Sequence, residues 1–183
     1  MTTPRKALLV ASSIFVLSVA FFPKSFSQDR KGFTGIGVQI STPPVYNLLF
    51  SGGNSTMEMQ PDVLVSAWVT DNIAIEPSVG ILAYTNETFW RLGFAVVNHF
   101  GQEKLSPFVL FRAKTYLYST SGWESNDYLF GLAVGGEYFV GEKFSVSGGV
   151  QLNYAVPDKE QTLFVRRNTI MTGVGIGLRF YLN

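Results

Sequence analysis

The alternation of large apolar residues with small or polar residues is the feature of this sequence that most restricts its fold. Across 170–182, the even positions carry Ile, Thr, Val, Ile, Leu, Phe and Leu, whereas the odd positions carry Met, three glycines, Arg and Tyr. Successive side chains of a β-strand point to opposite faces, so this pattern predicts a strand with one apolar face and one small or polar face. Downstream of residue 27, no segment shows a comparable helical stripe.

Eight segments share this alternation and predict an all-β chain. They cover residues 33–41, 57–69, 73–84, 88–100, 106–118, 127–140, 144–154 and 170–182. The predicted connections at 70–72, 101–104 and 141–143 are short turns, and 85–87 is also brief; longer loops are predicted at 42–56, 119–126 and 155–165. Short turns on one side and mostly longer loops on the other are typical of an eight-stranded antiparallel up-and-down β-barrel.

The composition of the two strand faces favours a transmembrane barrel over a soluble one. Charged residues make up only 15% of the chain, and the polar face is mainly Gly, Ser, Ala and Gln. The outer surface of a soluble barrel needs many charged residues, whereas the narrow lumen of an eight-stranded barrel needs small ones. A transmembrane barrel with its apolar face toward lipid is therefore predicted, and a soluble exported barrel is the alternative.

The first 27 residues have the pattern of a cleaved signal peptide. Arg5 and Lys6 precede a 16-residue uncharged stretch, 7–22, and the small-residue pattern 25–27 follows. About 20 apolar residues are needed for a helix to span a bilayer, so a membrane-anchoring helix is the weaker interpretation. Cleavage after Ser27 would leave a barrel domain of 156 residues, 28–183, with 11 basic and 13 acidic residues.

Several classes of function are excluded by residue counts. The chain has no cysteine, so it has neither a disulfide framework nor a thiolate nucleophile. It has one histidine, which excludes a site with several histidine ligands. We expect neither a metal nor a cofactor, and the near-neutral charge argues against nucleic acid as a partner.

The polar strand face carries a set of charged residues that would share the lumen. Charges removed from bulk water need partners, so we predict ion pairs across the lumen. These pairs would either hold the barrel together or gate a narrow path for solutes. The predicted network consists of Asp62, Glu76, Arg91, Arg112, Lys114, Glu137 and Arg179.

Three features of the sequence point to one family: the signal-peptide pattern, the eight amphipathic strands and the ending Gly-Ile-Gly-Leu-Arg-Phe-Tyr-Leu-Asn. Together they resemble the small outer-membrane β-barrel family, of the outer membrane protein A barrel domain and outer membrane protein X types. In that family the last strand is the signal for the barrel assembly machinery. The residues that match this signal are Val174, Ile176, Leu178, Phe180 and Leu182. The chain ends in Leu-Asn where the family has a terminal Phe. The resemblance implies that both termini and the short turns face the periplasm.

Two further features are candidate sites. His99 is the only histidine and therefore the only imidazole that could act as a catalytic base. It precedes a short turn, which the resemblance places at the periplasmic end, away from lipid A in the outer leaflet, and it lacks the serine two residues on that lipid A deacylases have. We therefore predict that it is a rim residue without a special role. The 42–56 loop is unusually apolar, which predicts either a loop packed over the barrel mouth or a binding surface. Its candidate surface residues are Tyr46, Leu48, Leu49 and Phe50.

These observations predict an integral outer-membrane barrel of a Gram-negative bacterium, non-enzymatic and monomeric, with a structural or surface-interaction role. The alternative is a narrow channel or transporter for small solutes or an apolar ligand, and a lipid A-modifying enzyme is the third hypothesis. The expected partners are outer-membrane lipid and lipopolysaccharide, the barrel assembly machinery during insertion, and an extracellular ligand bound through the loops.

Overall fold

The computed structural model of the protein describes residues 30–41, 60–84, 87–101, 104–120, 123–141, 143–156 and 169–182. The predicted leader, 1–27, and the four loop residues Tyr46, Leu48, Leu49 and Phe50 lie outside these ranges. Within the described part of the chain, no helix has the length and apolar character needed to cross a membrane.

The described residues form a closed antiparallel barrel in which each strand pairs with its neighbours in sequence and β1 pairs with β8. This confirms the predicted eight-stranded, all-β, up-and-down fold. The strands are β1 Thr34–Ser41, β2 Gln60–Trp68, β3 Ile73–Tyr84, β4 Glu87–His99, β5 Leu105–Thr120, β6 Trp123–Phe139, β7 Phe144–Val156 and β8 Thr169–Tyr181.

The seam between β1 and β8 closes the barrel. It runs in register from Gly35 opposite Tyr181 to Ser41 opposite Gly175. Every strand therefore has a hydrogen-bonded neighbour on both sides, so the strand N–H and C=O groups find partners inside the fold. We call the end of the barrel where 69–72, 100–104 and 140–143 connect the strands the short-turn end.

The alternation of the sequence separates the two faces of the barrel wall. Outward side chains such as Ile81, Phe94, Val134 and Ile176 are between 48% and 57% exposed. Among the outward-facing strand positions whose exposure is described, none carries a charged residue. The inward face holds the buried polar and charged side chains, together with an apolar layer that includes Trp68.

One predicted connection is wrong. Residues 119–126 were expected to form a loop, but β5 continues to Thr120 and β6 begins at Trp123, with Thr120 paired to Trp123. These two strands are the longest, with 16 and 17 residues. The Ser, Gly and Asn residues of this region are typical of turns. Continued pairing between the two strands satisfies more backbone groups than a loop would, which overrides that local preference.

Candidate functional site

All seven residues of the predicted network point into the lumen, and none is more than 8% exposed. They come from six of the eight strands, so the barrel wall brings together side chains that are far apart in sequence. The buried set is Asp62, Glu76, Arg91, Arg112, Lys114, Glu137 and Arg179. Six of them form ion pairs in two separate clusters.

The first cluster is centred on Asp62 of β2. Arg91 of β4 approaches one oxygen of this carboxylate, with 2.9 Å between Nη2 and Oδ1. Lys114 of β5 binds the other oxygen, with 2.5 Å between Nζ and Oδ2. Arg91 also donates to the backbone carbonyl of Pro61 at 3.0 Å. One aspartate thus links three strands through two cations.

The second cluster is centred on Arg179 of β8, whose guanidinium bonds both oxygens of Glu76 on β3. Its Nε donates to Oε1 at 2.8 Å and its Nη2 donates to Oε2 at 3.0 Å. Its third nitrogen, Nη1, donates to Ser147 Oγ at 2.8 Å and lies 3.7 Å from Glu137 Oε1. This fork-to-carboxylate arrangement is the strongest geometry available to such a pair.

Arg112 does not join either cluster. No carboxylate among the described residues forms an ion pair with it, and its Nε has no hydrogen-bond partner. The predicted pairing of every lumen charge therefore does not extend to this residue. Arg112 lies opposite Gly131, which in turn lies opposite Asn153.

The lumen glycines have a specific relation to the lumen cations. Each of the four cations of the predicted network has a glycine as its direct partner on a neighbouring strand: Gly80 opposite Arg91, Gly93 opposite Lys114, Gly131 opposite Arg112 and Gly37 opposite Arg179. A Cβ at Gly80 would lie 2.7 Å from Arg91 Nη2, and a Cβ at Gly37 would lie 2.9 Å from Arg179 Cγ. The glycines leave the space through which the long cations cross the lumen.

The sequence predicts His99 to be a rim residue at the short turn after β4, and the structure places it at that end but buried inside the lumen. It is 2% exposed inside the lumen, with its ring centroid 4.5 Å from that of Trp68. Its Nδ1 lies 3.4 Å from Ser106 Oγ and its Nε2 lies 3.6 Å from Glu137 Oε2. The alternation along β4 signals this position, because Arg91, Gly93, Ala95 and Val97 point inward at the same period.

Ser106, His99 and Glu137 are the residue types of a hydrolytic triad, but their geometry does not provide a nucleophile. The Ser106 hydroxyl oxygen lies 3.1 Å from the carbonyl oxygen of Gly101 and 3.4 Å from His99 Nδ1, so the carbonyl competes with the imidazole for its single proton. A nucleophilic serine needs its proton to be accepted by the base. Ser106 is also completely buried, so no substrate carbonyl can reach it.

Glu137 binds residues that sequence reasoning did not single out. Its Oε1 accepts hydrogen bonds from Tyr181 Oη at 2.8 Å and from Ser145 Oγ. Tyr181, Ser145 and Ser147 all lie on the inward positions of their strands, so the alternation was a signal for them as well. Arg30, which is also buried, precedes β1 and had no such signal.

The remaining sequence predictions have these locations. Val174, Ile176, Leu178, Phe180 and Leu182 all lie on the outward face and are between 46% and 57% exposed. Among the described residues, no group of three or more His, Asp or Glu side chains is arranged to hold a metal ion.

Comparison with solved structures gives the fold. The chain is similar to the N-terminal β-barrel domain of Pseudomonas aeruginosa OprF, with a TM-score of 0.52 and 14% sequence identity over 84% of this chain and 100% of that one. It is also similar to Neisserial surface protein A (NspA), with a TM-score of 0.53 and 13% identity over 81% of this chain and 95% of that one. No protein-family model and no curated protein matches the chain. The protein thus has the fold of small eight-stranded outer-membrane barrels, as the sequence resemblance predicted.

The Glu76–Arg179 pair gives the first testable prediction. The substitution Glu76→Gln leaves the Arg179 guanidinium without its bidentate partner, and we expect the free energy of unfolding to fall by about 3 kcal/mol. The double variant Glu76→Gln/Arg179→Met removes both charges and should lose less stability than the two single variants added together. Urea titrations followed by tryptophan fluorescence measure all three variants. Additive losses would contradict the coupling.

The pairing of glycines with cations gives the second prediction. We expect Gly80→Ala to lower the free energy of unfolding by about 1–3 kcal/mol, because the added methyl group occupies the path of Arg91. Gly148→Ala is the matched control, since a Cβ at this exposed strand position meets no atom within 4 Å. The same urea titration should find the control within about 0.5 kcal/mol of the wild type. Equal effects at both positions would show that Gly80 does not provide space for Arg91.

Proposed function

We propose that this protein is an integral outer-membrane barrel of a Gram-negative bacterium with a non-enzymatic structural or surface-interaction role. The observation that carries the proposal is the distribution of polarity over the two faces of the barrel wall, which is the reverse of that in a water-soluble barrel. Large apolar side chains cover the outside, and buried ion pairs occupy the inside. A barrel in water would need the opposite arrangement, because exposed apolar patches of this extent drive association.

The dimensions of the apolar surface support this location. The 13 residues of β8 run from Thr169 to Tyr181, and their outward residues from Ile170 to Phe180 are apolar except for Thr172. At about 3.3 Å per residue and a tilt of about 45°, a strand of this length rises about 30 Å. The hydrocarbon core of a bilayer is also about 30 Å thick.

A closed structural barrel is better supported than a channel. Arg179 connects β8 to β3, and Lys114 connects β5 to Asp62 on β2, so both pairs join strands that are not neighbours. These bonds cross the lumen where a solute would have to pass. A lipid A-modifying activity has little support in the lumen, because Ser106, the hydroxyl beside His99, is completely buried and also contacts the carbonyl of Gly101.

The partners follow from the same location. We propose that the outward face contacts lipid and lipopolysaccharide, and that the apolar residues of β8 are read by the barrel assembly machinery during insertion. We further propose that the protein is monomeric, that its short-turn end faces the periplasm, and that an extracellular ligand binds through the loops of the opposite end.

The membrane proposal is tested by moving a charge to the lipid-facing surface. Phe94 is 48% exposed in the middle of β4, and we expect Phe94→Arg to reduce the stability of the inserted barrel by about 2–4 kcal/mol. Val140 is 59% exposed immediately after β6, at the short-turn end, so Val140→Arg should cost no more than about 1 kcal/mol there. The measurement is the yield of heat-modifiable, folded protein after refolding into phospholipid vesicles.

The wild-type protein is the reference for this experiment and carries a test of its own. It should need detergent or a bilayer to stay in solution. A folded monomer that is soluble without detergent would overturn the membrane proposal, as would equal refolding yields for the two arginine variants.

The choice between a structural barrel and a channel is tested by electrical recording. We expect the wild-type protein in a planar lipid bilayer to give no discrete current steps in concentrated KCl, because two ion pairs bridge the lumen. An empty bilayer and a bilayer holding a known porin are the controls. Reproducible current steps from the folded protein would favour the channel alternative.

A further inference from the structure

The chain folds back on itself immediately before β1. The backbone N–H of Phe33 donates to the carbonyl of Arg30 at 3.0 Å, and Gly32 between them has a φ of 87°. A positive φ at the third residue of a four-residue turn is the signature of type II and favours glycine. The turn is fixed to the barrel wall, because Gly32 N–H donates to the carbonyl of Trp68 at 2.9 Å and Arg30 N–H donates to Asp71 Oδ1 at 3.2 Å.

This turn directs the side chain of Arg30 into the short-turn end of the lumen. Arg30 precedes all strands, yet it is only 5% exposed. Its guanidinium carbon lies 4.4 Å from the ring centroid of Phe139 and 5.1 Å from that of Trp68. Both distances are within the range of a cation–π interaction. The guanidinium also donates from Nη1 to Ser106 Oγ at 3.5 Å.

The electrostatic surroundings of the Arg30 guanidinium favour a positively charged group. Burial lowers the pKa of Arg30, and the carboxylate of Glu137 acts against that shift by favouring the charged guanidinium. The site therefore combines two aromatic faces, a hydroxyl oxygen and a nearby carboxylate. We call Trp68, Phe139, Ser106 and Glu137 the guanidinium seat.

The seat lies beside His99, which is itself buried. The ring of His99 contacts Trp68, and its Nδ1 faces the same Ser106 oxygen that accepts from Arg30. Arg30 and His99 thus share two neighbours. The guanidinium therefore covers two of the residues that contact the imidazole.

We infer that Arg30 is an intramolecular plug that closes the short-turn end of the barrel, and that its seat is a binding site for a guanidinium group. The closure depends on the 30–33 turn, so a displacement of this turn would vacate the seat and open the chamber that contains His99. This goes beyond the proposed function, since it concerns how one end of the lumen is sealed and which ligand chemistry fits there.

The single histidine makes the plug measurable. Diethyl pyrocarbonate modifies accessible imidazoles, and His99 is the only histidine in the chain. In detergent-solubilised folded protein, we expect Arg30→Ala to increase the rate of His99 modification about tenfold or more, the factor that corresponds to losing a desolvated cation–π contact. Lys31→Ala is the matched control, because Lys31 is the adjacent cation and is exposed. It should leave the rate unchanged. Mass spectrometry of the peptide containing His99 gives the rate.

Rescue by a free ion tests the ligand chemistry. Millimolar guanidinium chloride should restore the protection of His99 in Arg30→Ala, and urea at the same concentration should not, because urea has a similar shape but no charge. Sodium chloride controls for ionic strength. Equal protection by urea or sodium chloride would overturn the assignment of a guanidinium site.

A second variant keeps the inference testable if Arg30→Ala does not fold. Gly32→Ala retains the guanidinium but strains the turn, since a left-handed backbone is unfavourable for alanine, and a Cβ there meets no atom within 4 Å. We expect His99 modification to be about fivefold faster or more in this variant. Heat-modifiable migration identifies the folded fraction of every sample. A wild-type rate in the folded fraction of either variant would overturn the plug. Because the assay needs only a folded barrel in detergent, its outcome is independent of the membrane and conductance tests.

Discussion

Closure of the hydrogen-bonded ladder between β1 and β8 is the constraint on which the rest of the structure depends. A sheet that carries an apolar face toward lipid has no water there to satisfy its edges, so its first and last strands must pair. Closing eight strands leaves a lumen wide enough only for side chains. The inward residues must therefore fill that lumen and provide one another's hydrogen-bond partners. The many small residues of β1, β7 and β8, glycine and serine, follow from this limit on space.

In the interior, the long cationic side chains lie opposite glycines on the neighbouring strands. Long cations can reach across the barrel only where the neighbouring strand lacks a side chain, as at Gly80 beside Arg91 and Gly37 beside Arg179. The ion pairs formed in this way connect strands that are not adjacent. Buried pairs of this kind contribute less to net stability than their short distances suggest, because both ions lose hydration. Their geometric effect is larger, since each pair ties together strands that are not neighbours.

The short-turn end is organised differently from the rest of the lumen. There the contacts are mainly between rings and a cation, with Arg30 between Phe139 and Trp68 and with the His99 ring against Trp68. Glu137 connects this region to the ion pairs through Arg179 and Tyr181. A residue outside the barrel wall thus completes the polar network inside it.

The sequence by itself determined the strands, their two faces and the inward location of the charged residues, because a period of two assigns each side chain to a face regardless of what lies opposite. The same period also placed His99 and Tyr181 inside, although neither was recognised as part of the network. Only the tertiary structure decided which charges meet, since the partners of Arg179 and Asp62 depend on the register of non-adjacent strands. It also decided that Arg112 has no carboxylate partner among the described residues, that β5 continues to Thr120 and β6 begins at Trp123, and that Arg30 enters the lumen. These outcomes depend on contacts between residues distant in sequence, which local periodicity does not encode.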